Sequence, residues 1–164
     1  MNVIVAVDRK WGIGYDNKLL FDIPEDMKFF KDMTDGKIVV MGYNTLLSLP
    51  GGKPLKNRTN IVICDNKDFK QDGATLCYSI EEALDKLREY DPNDVFVMGG
   101  QGIYEQLLGY CKTAYITKVE SVEKADRHFP NIDDLDNWEL ISQSGQKEYN
   151  GLKYTFCKFR NNNA

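Results

Sequence analysis

One acidic residue stands among hydrophobic residues near the start of a predicted helix. At 100° per residue, Asp26 shares a helical face with Phe30 and Met33, whereas Glu25 and Asp32 lie on the opposite face. Burial among hydrophobic side chains raises the pKa of a carboxyl group, so such an acid can hold a proton near neutral pH. The alternative is that Asp26 only stabilises the positively polarised N-terminal end of the helix.

Glycines follow two of the predicted strands at the point where a helix begins. The run Phe96–Met98 leads into Gly99 and Gly100, and a second strand leads into Gly42. Backbone N–H groups of such a turn can approach a phosphate, and two turns at neighbouring strand ends suit a dinucleotide. The alternative is a plain tight turn between strand and helix, and neither segment matches the G-x-G-x-x-G fingerprint.

The elements that position these residues alternate between strand and helix. Buried strands are predicted at Val3–Val7, Lys37–Met41, Thr59–Cys64, Ala74–Tyr78, Asp94–Met98 and Thr113–Val119. Helices are predicted at Pro24–Thr34, Asn44–Ser48, Ile80–Glu89 and Gly102–Leu108. A long loop is predicted at 8–22, and a hairpin of Trp138–Tyr149 with Lys153–Phe159. This order predicts one α/β domain over residues 1–164, with a mostly parallel central sheet, an antiparallel C-terminal hairpin strand and about four flanking helices.

Composition excludes several classes of function. The net charge is −4, and lysines and arginines are scattered among acids, which argues against a nucleic-acid or membrane-surface partner. The apolar run at the N-terminus meets Asp8 too soon for a signal peptide or a membrane span, so a cytoplasmic protein is expected. The four cysteines form no C-x-x-C pair and the one histidine has no ligand at metal spacing, so reduced thiols and no metal are expected.

Short segments along the whole chain together identify a family. They are Ala6-Val7-Asp8, Ile13-Gly14, Ile23–Met27 with Phe30-Lys31, Val40–Gly42 with Thr45, Pro54-Leu55, Arg58–Asn60, Gly99-Gly100, Ile103-Tyr104, Ile116-Thr117 and Asp126–Pro130. In this order and spacing, the chain resembles the dihydrofolate reductases from end to end. The resemblance implies the dihydrofolate-reductase fold and NADPH-dependent reduction of 7,8-dihydrofolate to 5,6,7,8-tetrahydrofolate. A hydride would be transferred to pterin C6, and a proton would be transferred to pterin N5. The product would support one-carbon metabolism and thymidylate synthesis.

The resemblance also implies a role for individual residues. Asp26 would hydrogen-bond the pterin amino group and ring N3, with Thr117 as its partner, because one carboxylate can bond both groups. It would orient the pterin and raise the basicity of N5, while water delivers the proton. The implied catalytic residues are Asp26, Phe21, Leu19, Thr117 and Tyr104. The implied substrate-binding residues are Asp26 and Thr117, together with Ile4, Val5, Ala6, Met27, Phe30, Lys31, Leu49, Leu55, Arg58 and Met98.

Several of these residues have a plainer interpretation. Arg58 would form a fork with the α-carboxylate of the substrate's glutamate, although without the resemblance it reads as a surface arginine. Met27, Phe30, Leu49 and Leu55 would surround the aminobenzoyl group, although each could equally be a core residue. The resemblance further implies a monomer that binds antifolate inhibitors.

The cofactor would lie along the two glycine turns. Its implied contacts are Ala6, Ile13, Gly14, Asn17, Leu19, Gly42, Tyr43, Asn44, Thr45, Cys64, Asp65, Gly99, Gly100, Gln101, Gly102, Ile103 and Tyr104. Ala6 and Ile13 would contribute their backbones, and a cis peptide would join Gly99 to Gly100. The segment Gly14–Leu20, here called the lid, would close over the nicotinamide ring.

Three positions depart from the family pattern at the adenosine end of the cofactor. Tyr43, Asp65 and Gly102 stand where many members carry basic or hydroxyl residues. A carboxylate repels the 2′-phosphate of NADPH, and each lost charged hydrogen bond is worth about 1.5–3 kcal/mol. We therefore expect a weakened preference for NADPH and some use of NADH, unless Lys67 or Lys70 compensates.

Two further departures concern proton transfer and the lid. Leu20-Phe21 replaces the common Pro-Trp, and Phe21 lacks the indole N–H that usually holds a water in the site. A slower or rerouted proton relay is expected. Ala125 replaces a common glycine in the loop that supports the lid, which would alter the motion of the lid.

Two functions other than dihydrofolate reduction are compatible with parts of the sequence. The pyrimidine reductase of riboflavin synthesis shares fold and cofactor, but Asp26, Phe30 and Arg58 in folate-type positions argue against it. A non-catalytic module that binds a nucleotide or a pterin stays open, because Phe21 and the altered phosphate pocket depart from the pattern.

Overall fold

A nine-stranded mixed sheet forms the centre of the computed structural model, which describes residues 1–164. In chain order the strands are β1 (Asn2–Val7), β2 (Gly12–Tyr15), β3 (Lys18–Leu19), β4 (Ile38–Gly42), β5 (Thr59–Ile63), β6 (Ala74–Cys77), β7 (Val95–Val97), β8 (Thr113–Val119), β9 (Arg127–His128), β10 (Trp138–Gln143), β11 (Lys147–Tyr149) and β12 (Leu152–Asn161). The helices are α1 (Pro24–Thr34), α2 (Tyr43–Ser48), α3 (Ile80–Leu87) and α4 (Gln101–Leu107).

The order of strands confirms the predicted fold class. The sheet runs β10-β12-β8-β1-β7-β4-β5-β6, and β11 pairs with β12. The strands from β8 to β6 in this order are parallel, whereas β12 is antiparallel to β8 and to β10. Val39, Val40 and Met41 of β4 are fully buried because both faces of the sheet are covered, which explains their unbroken apolar run.

A second sheet forms where the sequence predicted only a long loop. Its order is β3-β2-β9, and it carries the lid, so it is called the lid sheet below. Asp16 and Asn17 form the two-residue turn between β2 and β3, with φ of 52° and 60°. Both residue types tolerate this left-handed conformation, which hairpin turns of this length require. The prediction of a loop over 8–22 was therefore wrong for 12–15 and 18–19.

Several helix ends follow local signals in the sequence. Helix α1 begins at Pro24 and ends at Thr34, as predicted. Ser79 caps α3, because its hydroxyl accepts a bond from the Glu82 N–H at 3.0 Å, and Glu82 in turn accepts from the Tyr78 N–H at 2.6 Å. Other boundaries differ from the predicted ones by one or two residues.

The C-terminal hairpin turns at Asn150 and Gly151 as predicted, but its first strand is interrupted. Residues 144–146 separate β10 from β11, and the Ser144 hydroxyl there accepts a bond from the Phe156 N–H at 3.0 Å. The prediction of one continuous strand over 138–149 was wrong, since the Ser144 hydroxyl takes the place of a backbone acceptor for the Phe156 N–H, while the Ser144 N–H still donates to the Phe156 carbonyl at 2.8 Å.

The cysteines are buried and none is in a disulfide. Burial raises the pKa of the Cys111 thiol to about 12, so this thiol stays protonated. None of the helices has the length and apolar content that crossing a membrane requires.

Candidate active site

Asp26 and Thr117 form the centre of the candidate site. Asp26 lies in the first turn of α1, and Thr117 is buried in β8. The Thr117 hydroxyl donates a hydrogen bond to Asp26 Oδ1 at 2.6 Å. Burial raises the pKa of Asp26 above its ordinary value, and the bond from Thr117 partly opposes this rise. Asp26 is therefore a half-buried acid whose pKa is raised, in the direction that the sequence predicted.

The second oxygen of Asp26 is available to a ligand. Asp26 Oδ2 accepts no hydrogen bond from the protein, and no buried side-chain polar atom in the molecule lacks a partner. Oδ2 must therefore be reachable by solvent. A carboxylate held at one oxygen and open at the other can accept bonds from a bound ligand in a fixed orientation.

The alternation of side chains along β1 decides which residues face Asp26. Ile4 and Ala6 pair with Tyr115 and Thr117, so their side chains lie on the same face as the Asp26 partner. Val5 lies on the opposite face and packs against the main core. Its side chain is therefore not on the face of the sheet where Asp26 lies, unlike the other two predicted residues of this strand.

Helix α1 divides its hydrophobic residues between core and site. Phe29 packs on Phe156 with ring centroids 4.9 Å apart, and Phe30 is half-buried. Met27 is 48% exposed, which excludes the alternative that it is an ordinary core residue. Lys31 is exposed on the same helix. The remaining predicted hydrophobic residues of the substrate site pack around β4 and β5, and they are Leu49, Leu55 and Met98.

Arg58 is held in one orientation by two hydrogen bonds. Its Nε donates to the Lys56 carbonyl at 2.8 Å, and its Nη1 donates to the Thr34 hydroxyl at 3.2 Å. Partial burial lowers the pKa of Arg58, and the nearby Asp35 opposes this change. Nη2 has no partner within the protein, so a preoriented guanidinium is free to bind an anion.

The glycine turns meet at the carboxyl ends of β4 and β7. The Gly42 N–H donates to the Gly99 carbonyl at 2.9 Å, and the peptide between Gly99 and Gly100 is cis, as expected. A Cβ on Gly42 would lie 3.0 Å from the Ile103 side chain, so a larger residue at this position would require that side chain to move. Thr45 lies beside Gly100 across this junction.

Donor groups at these turns fit a dinucleotide. Gly42 and Gly100 are the N-cap residues of α2 and α4, and neither helix has a side-chain cap. First-turn N–H groups are therefore left for another acceptor, such as a phosphate. The predicted contacts Tyr43, Asn44, Gly102 and Ile103 lie in these first turns.

Tyr104 closes the inner end of this region. Its hydroxyl donates to the Ile4 carbonyl at 2.8 Å. Its ring packs against that of Phe129 in a T-shaped arrangement, with the ring centroids 4.9 Å apart. Burial raises its pKa, so the phenol stays protonated. Ile13 packs in the main core, so its backbone rather than its side chain is left to contact a ligand.

The residues predicted to lie at the adenosine end of the cofactor include an acid that no ion pair neutralises. Asp65 follows β5 and is exposed, while the neighbouring Cys64 is buried. Lys70 is bound to the Tyr78 hydroxyl at 3.0 Å, which raises the lysine pKa. Lys67 has no ion pair, so it is the free cation nearest in sequence to Asp65.

The lid is the most exposed part of the predicted site. Leu19 is 74% exposed, and Asn17 lies in the hairpin turn. The Gly14 carbonyl accepts a bond from the Asp126 N–H at 3.0 Å, and Asp126 Oδ2 accepts from the Asp16 N–H at 3.2 Å. Phe21 is only 9% exposed and packs in a small core beneath the lid rather than in the open.

Ala125 has a structural counterpart in the lid sheet. A Cβ on Gly12 would lie 2.8 Å from the Cβ of Ala125, closer than two such atoms can approach. The methyl group of Ala125 therefore occupies the space that Gly12 leaves open. Sequence reasoning treated Ala125 as an isolated departure and missed this pairing.

Asp8 is a buried acid whose role the sequence did not indicate. It is 3% exposed, and its Oδ1 accepts bonds from the N–H groups of Lys10 and Gly12 at 2.9 and 2.8 Å. Its Oδ2 accepts from the Glu123 N–H at 3.0 Å, which ties β2 to the loop that supports the lid. A glycine four residues after an aspartate was the only local signal of this turn.

Comparisons with known proteins agree with this geometry. The dihydrofolate reductase family model matches residues 1–161. The dihydrofolate reductase of Bacillus subtilis is 36% identical over 166 residues, covering 100% of this chain and 96% of the relative. That of Staphylococcus aureus is 33% identical over 158 residues, covering 95% and 94%. The solved Enterococcus faecalis dihydrofolate reductase, complexed with NADP(H) and RAB-propyl, superposes with a TM-score of 0.88 at 30% identity, covering 98% of this chain and 95% of that one. The chain therefore belongs to the dihydrofolate reductase family.

Proposed function

We propose that this protein reduces 7,8-dihydrofolate to 5,6,7,8-tetrahydrofolate with NADPH, and so supports one-carbon metabolism and thymidylate synthesis. The observation that carries the proposal is Asp26, whose pKa is raised by burial and whose Oδ1 is held by Thr117. Family membership supports the same reaction.

Asp26 orients the substrate in this proposal. Its carboxylate accepts bonds from the pterin amino group and ring N3, and the negative charge raises the basicity of pterin N5. Since the carboxyl group does not reach N5 itself, water delivers the proton there. Arg58 offers Nη2 to the α-carboxylate of the glutamate, and Met27 with Phe30 lies against the aminobenzoyl group.

The cofactor is held by backbone groups. The first turns of α2 and α4, with Thr45, bind its phosphates, and the backbones of Ala6 and Ile13 bind its carboxamide. When bound, NADPH supplies the hydride that reduces pterin C6. The lid then excludes water from the reacting rings, which strengthens every electrostatic interaction inside the site.

The deciding experiment follows loss of NADPH absorbance with purified protein and dihydrofolate. We expect turnover that needs both compounds and that an antifolate inhibitor abolishes. Turnover with a ribosylamino-pyrimidine phosphate instead would identify the riboflavin-pathway reductase. Binding of NADPH without turnover of either substrate would identify a non-catalytic module. The experiment must include this outcome, because Phe21 is packed in a small core and departs from the family pattern.

We further propose that the protein is a cytoplasmic monomer without a nucleic-acid partner. Four buried thiols outside any disulfide suit a reducing compartment, and the net charge of −4 opposes binding to nucleic acid. Light scattering after size-exclusion chromatography checks the monomer, for which the sequence mass is 18.8 kDa. A particle of twice that mass would contradict it.

A further inference from the structure

The lid sheet is connected to helix α4 by a hydrogen bond to a side chain. The His128 N–H of β9 donates to Gln101 Oε1 at 2.8 Å, and Gln101 is the first residue of α4. Strand β9 is an edge of the lid sheet, so its outer N–H groups have no partner strand. Gln101 supplies the acceptor that this edge lacks.

The amide group of Gln101 is fixed from both sides. Its Nε2 donates to Glu105 Oε1 at 3.0 Å, one turn further along α4, while its oxygen accepts from His128. The imidazole of His128 has no hydrogen bond within the protein and is exposed. The bridge therefore depends on the backbone of β9 and the side chain of Gln101, and the histidine side chain is not part of it.

A second contact joins the same two segments. The Tyr104 ring of α4 packs against the ring of Phe129 in a T-shaped arrangement, with the ring centroids 4.9 Å apart. Phe129 directly follows β9. The Phe129 N–H in turn donates to the Trp11 carbonyl at 2.8 Å, immediately before β2. Movement of the first turn of α4 must therefore reach β2 and the lid through two connected contacts.

We infer that Gln101 is a positioning residue that couples the state of the glycine turn to the position of the lid. The inference rests on the proposed function, since it takes the turn at Gly99 and Gly100 as the place where the cofactor binds. A cofactor that orders this turn would order the lid through the Gln101–His128 bond. By thermodynamic linkage, an ordered lid would then tighten binding of the cofactor by the same factor.

Hydrogen exchange of the lid amides, with and without NADP⁺, tests the coupling. In the wild-type protein, NADP⁺ should slow exchange over residues 12–19. In Gln101→Ala, we expect the cofactor-dependent slowing to shrink about five-fold, the size of one net hydrogen bond, and the KM for NADPH to rise by the same factor. The KM for dihydrofolate should stay unchanged, which loss of the fold would not produce.

Two further variants separate positioning from simple damage. In the double variant Q101E/E105Q, the carboxylate at position 101 still accepts from the His128 N–H. Within α4, the amide at position 105 now donates to position 101, the reverse of the wild-type bond. This variant should restore the slowing of lid exchange by NADP⁺ that the wild type shows. Gln106→Ala removes a bond from Nε2 to the Gly102 carbonyl on the same helix, at 3.1 Å, and should change neither measurement.

The outcomes distinguish the inference from the proposed function. Unchanged lid protection and an unchanged NADPH KM in Gln101→Ala would overturn the inference, as would failure of the double variant to restore protection. Absence of turnover by the wild-type protein would instead overturn the proposed function. The exchange experiment needs only NADP⁺ and no turnover, so it stays informative in that case.

Discussion

The Thr117 hydroxyl lies 2.6 Å from Asp26 Oδ1, and this bond joins the first turn of α1 to the middle of β8. The two residues are 91 positions apart in the chain. Burial and the hydrogen bond act on Asp26 in opposite directions, and burial has the larger effect, so the pKa stays raised. The same bond leaves one carboxylate oxygen free, which gives Asp26 a fixed orientation together with an open acceptor.

Replacing Asp26 with asparagine tests its role in turnover. We expect Asp26→Asn to lower kcat at neutral pH by about a hundred-fold or more, because the amide cannot supply the negative charge that raises the basicity of N5. Steady-state kinetics measure the loss, and circular dichroism checks that the fold is kept. Asp32→Asn is the matched control, since Asp32 lies on the same helix and only pairs with Lys28 at 2.7 Å on the surface. Unchanged turnover in Asp26→Asn would assign the chemistry to another group.

The same variant should be more stable than the wild type at neutral pH. The pKa of Asp26 is raised above its ordinary value of 3.8, so the folded state binds its proton more tightly than the unfolded state. The contribution of Asp26 to the free energy of unfolding is therefore fully present below the pKa that Asp26 has in the unfolded state. It is lost as pH rises through the pKa that Asp26 has in the folded state. We expect Asp26→Asn to raise Tm by about two to four degrees at neutral pH, with no gain below about pH 4. Thermal melts over a pH series measure this, and a gain independent of pH would contradict it.

Thr117→Val should raise the pKa of Asp26 further. The hydroxyl stabilises the charged carboxylate, so its removal favours the protonated form and moves the apparent pKa of the pH–rate profile to higher pH. Thr155→Val is the control, because Thr155 lies on the neighbouring strand β12 and its hydroxyl makes no hydrogen bond within the protein. A shift to lower pH, or the same shift in both variants, would show that the hydroxyl does not act on Asp26.

Arg58→Lys should weaken binding of dihydrofolate without affecting smaller pterins. An ammonium cannot keep the bonds to Lys56 and Thr34 and also form a fork with a carboxylate, and each charged hydrogen bond is worth about 1.5–3 kcal/mol. We expect KM for dihydrofolate to rise about ten- to a hundred-fold. Turnover of a dihydropterin without the glutamate should be unchanged. Arg88→Lys, which changes an exposed ion pair with Asp85, should behave as the wild type. Equal losses of turnover by Arg58→Lys with dihydrofolate and with the dihydropterin would show that Arg58 does not bind the glutamate.

The adenosine end predicts a modest preference between the two nicotinamide cofactors. With Asp65 exposed and Lys70 bound to Tyr78, we expect kcat/KM for NADPH to exceed that for NADH by less than about a thousand-fold, since contacts worth about 1.5–3 kcal/mol each are missing. Asp65→Asn should raise kcat/KM for NADPH about five-fold and leave that for NADH unchanged, because it removes repulsion from a phosphate. Asp85→Asn, on α3, is the control. A preference of a thousand-fold or more in the wild type would refute this view of the pocket.

Local signals in the sequence were enough to predict α1 and β8 closely. Pro24 marks the start of a helix, and the β-branched and aromatic residues of Thr113–Val119 favour a strand, since both signals depend on neighbouring residues alone. The lid sheet escaped prediction because its strands are two to four residues long. Its pairing of Gly12 with His128 joins residues more than a hundred positions apart.

Sequence alone determined the family, the alternation of strand and helix, and the acid at position 26, because order and spacing of residue types carry that information. Tertiary structure alone decided which groups are free to act. It bound Lys70 to Tyr78, placed Val5 on the far face, buried Asp8 beneath the lid and linked Gln101 to β9. The contacts of Asp8 and Gln101 depend on partners supplied by distant segments, and hydrogen bonds and burial between distant segments are set only when the chain packs.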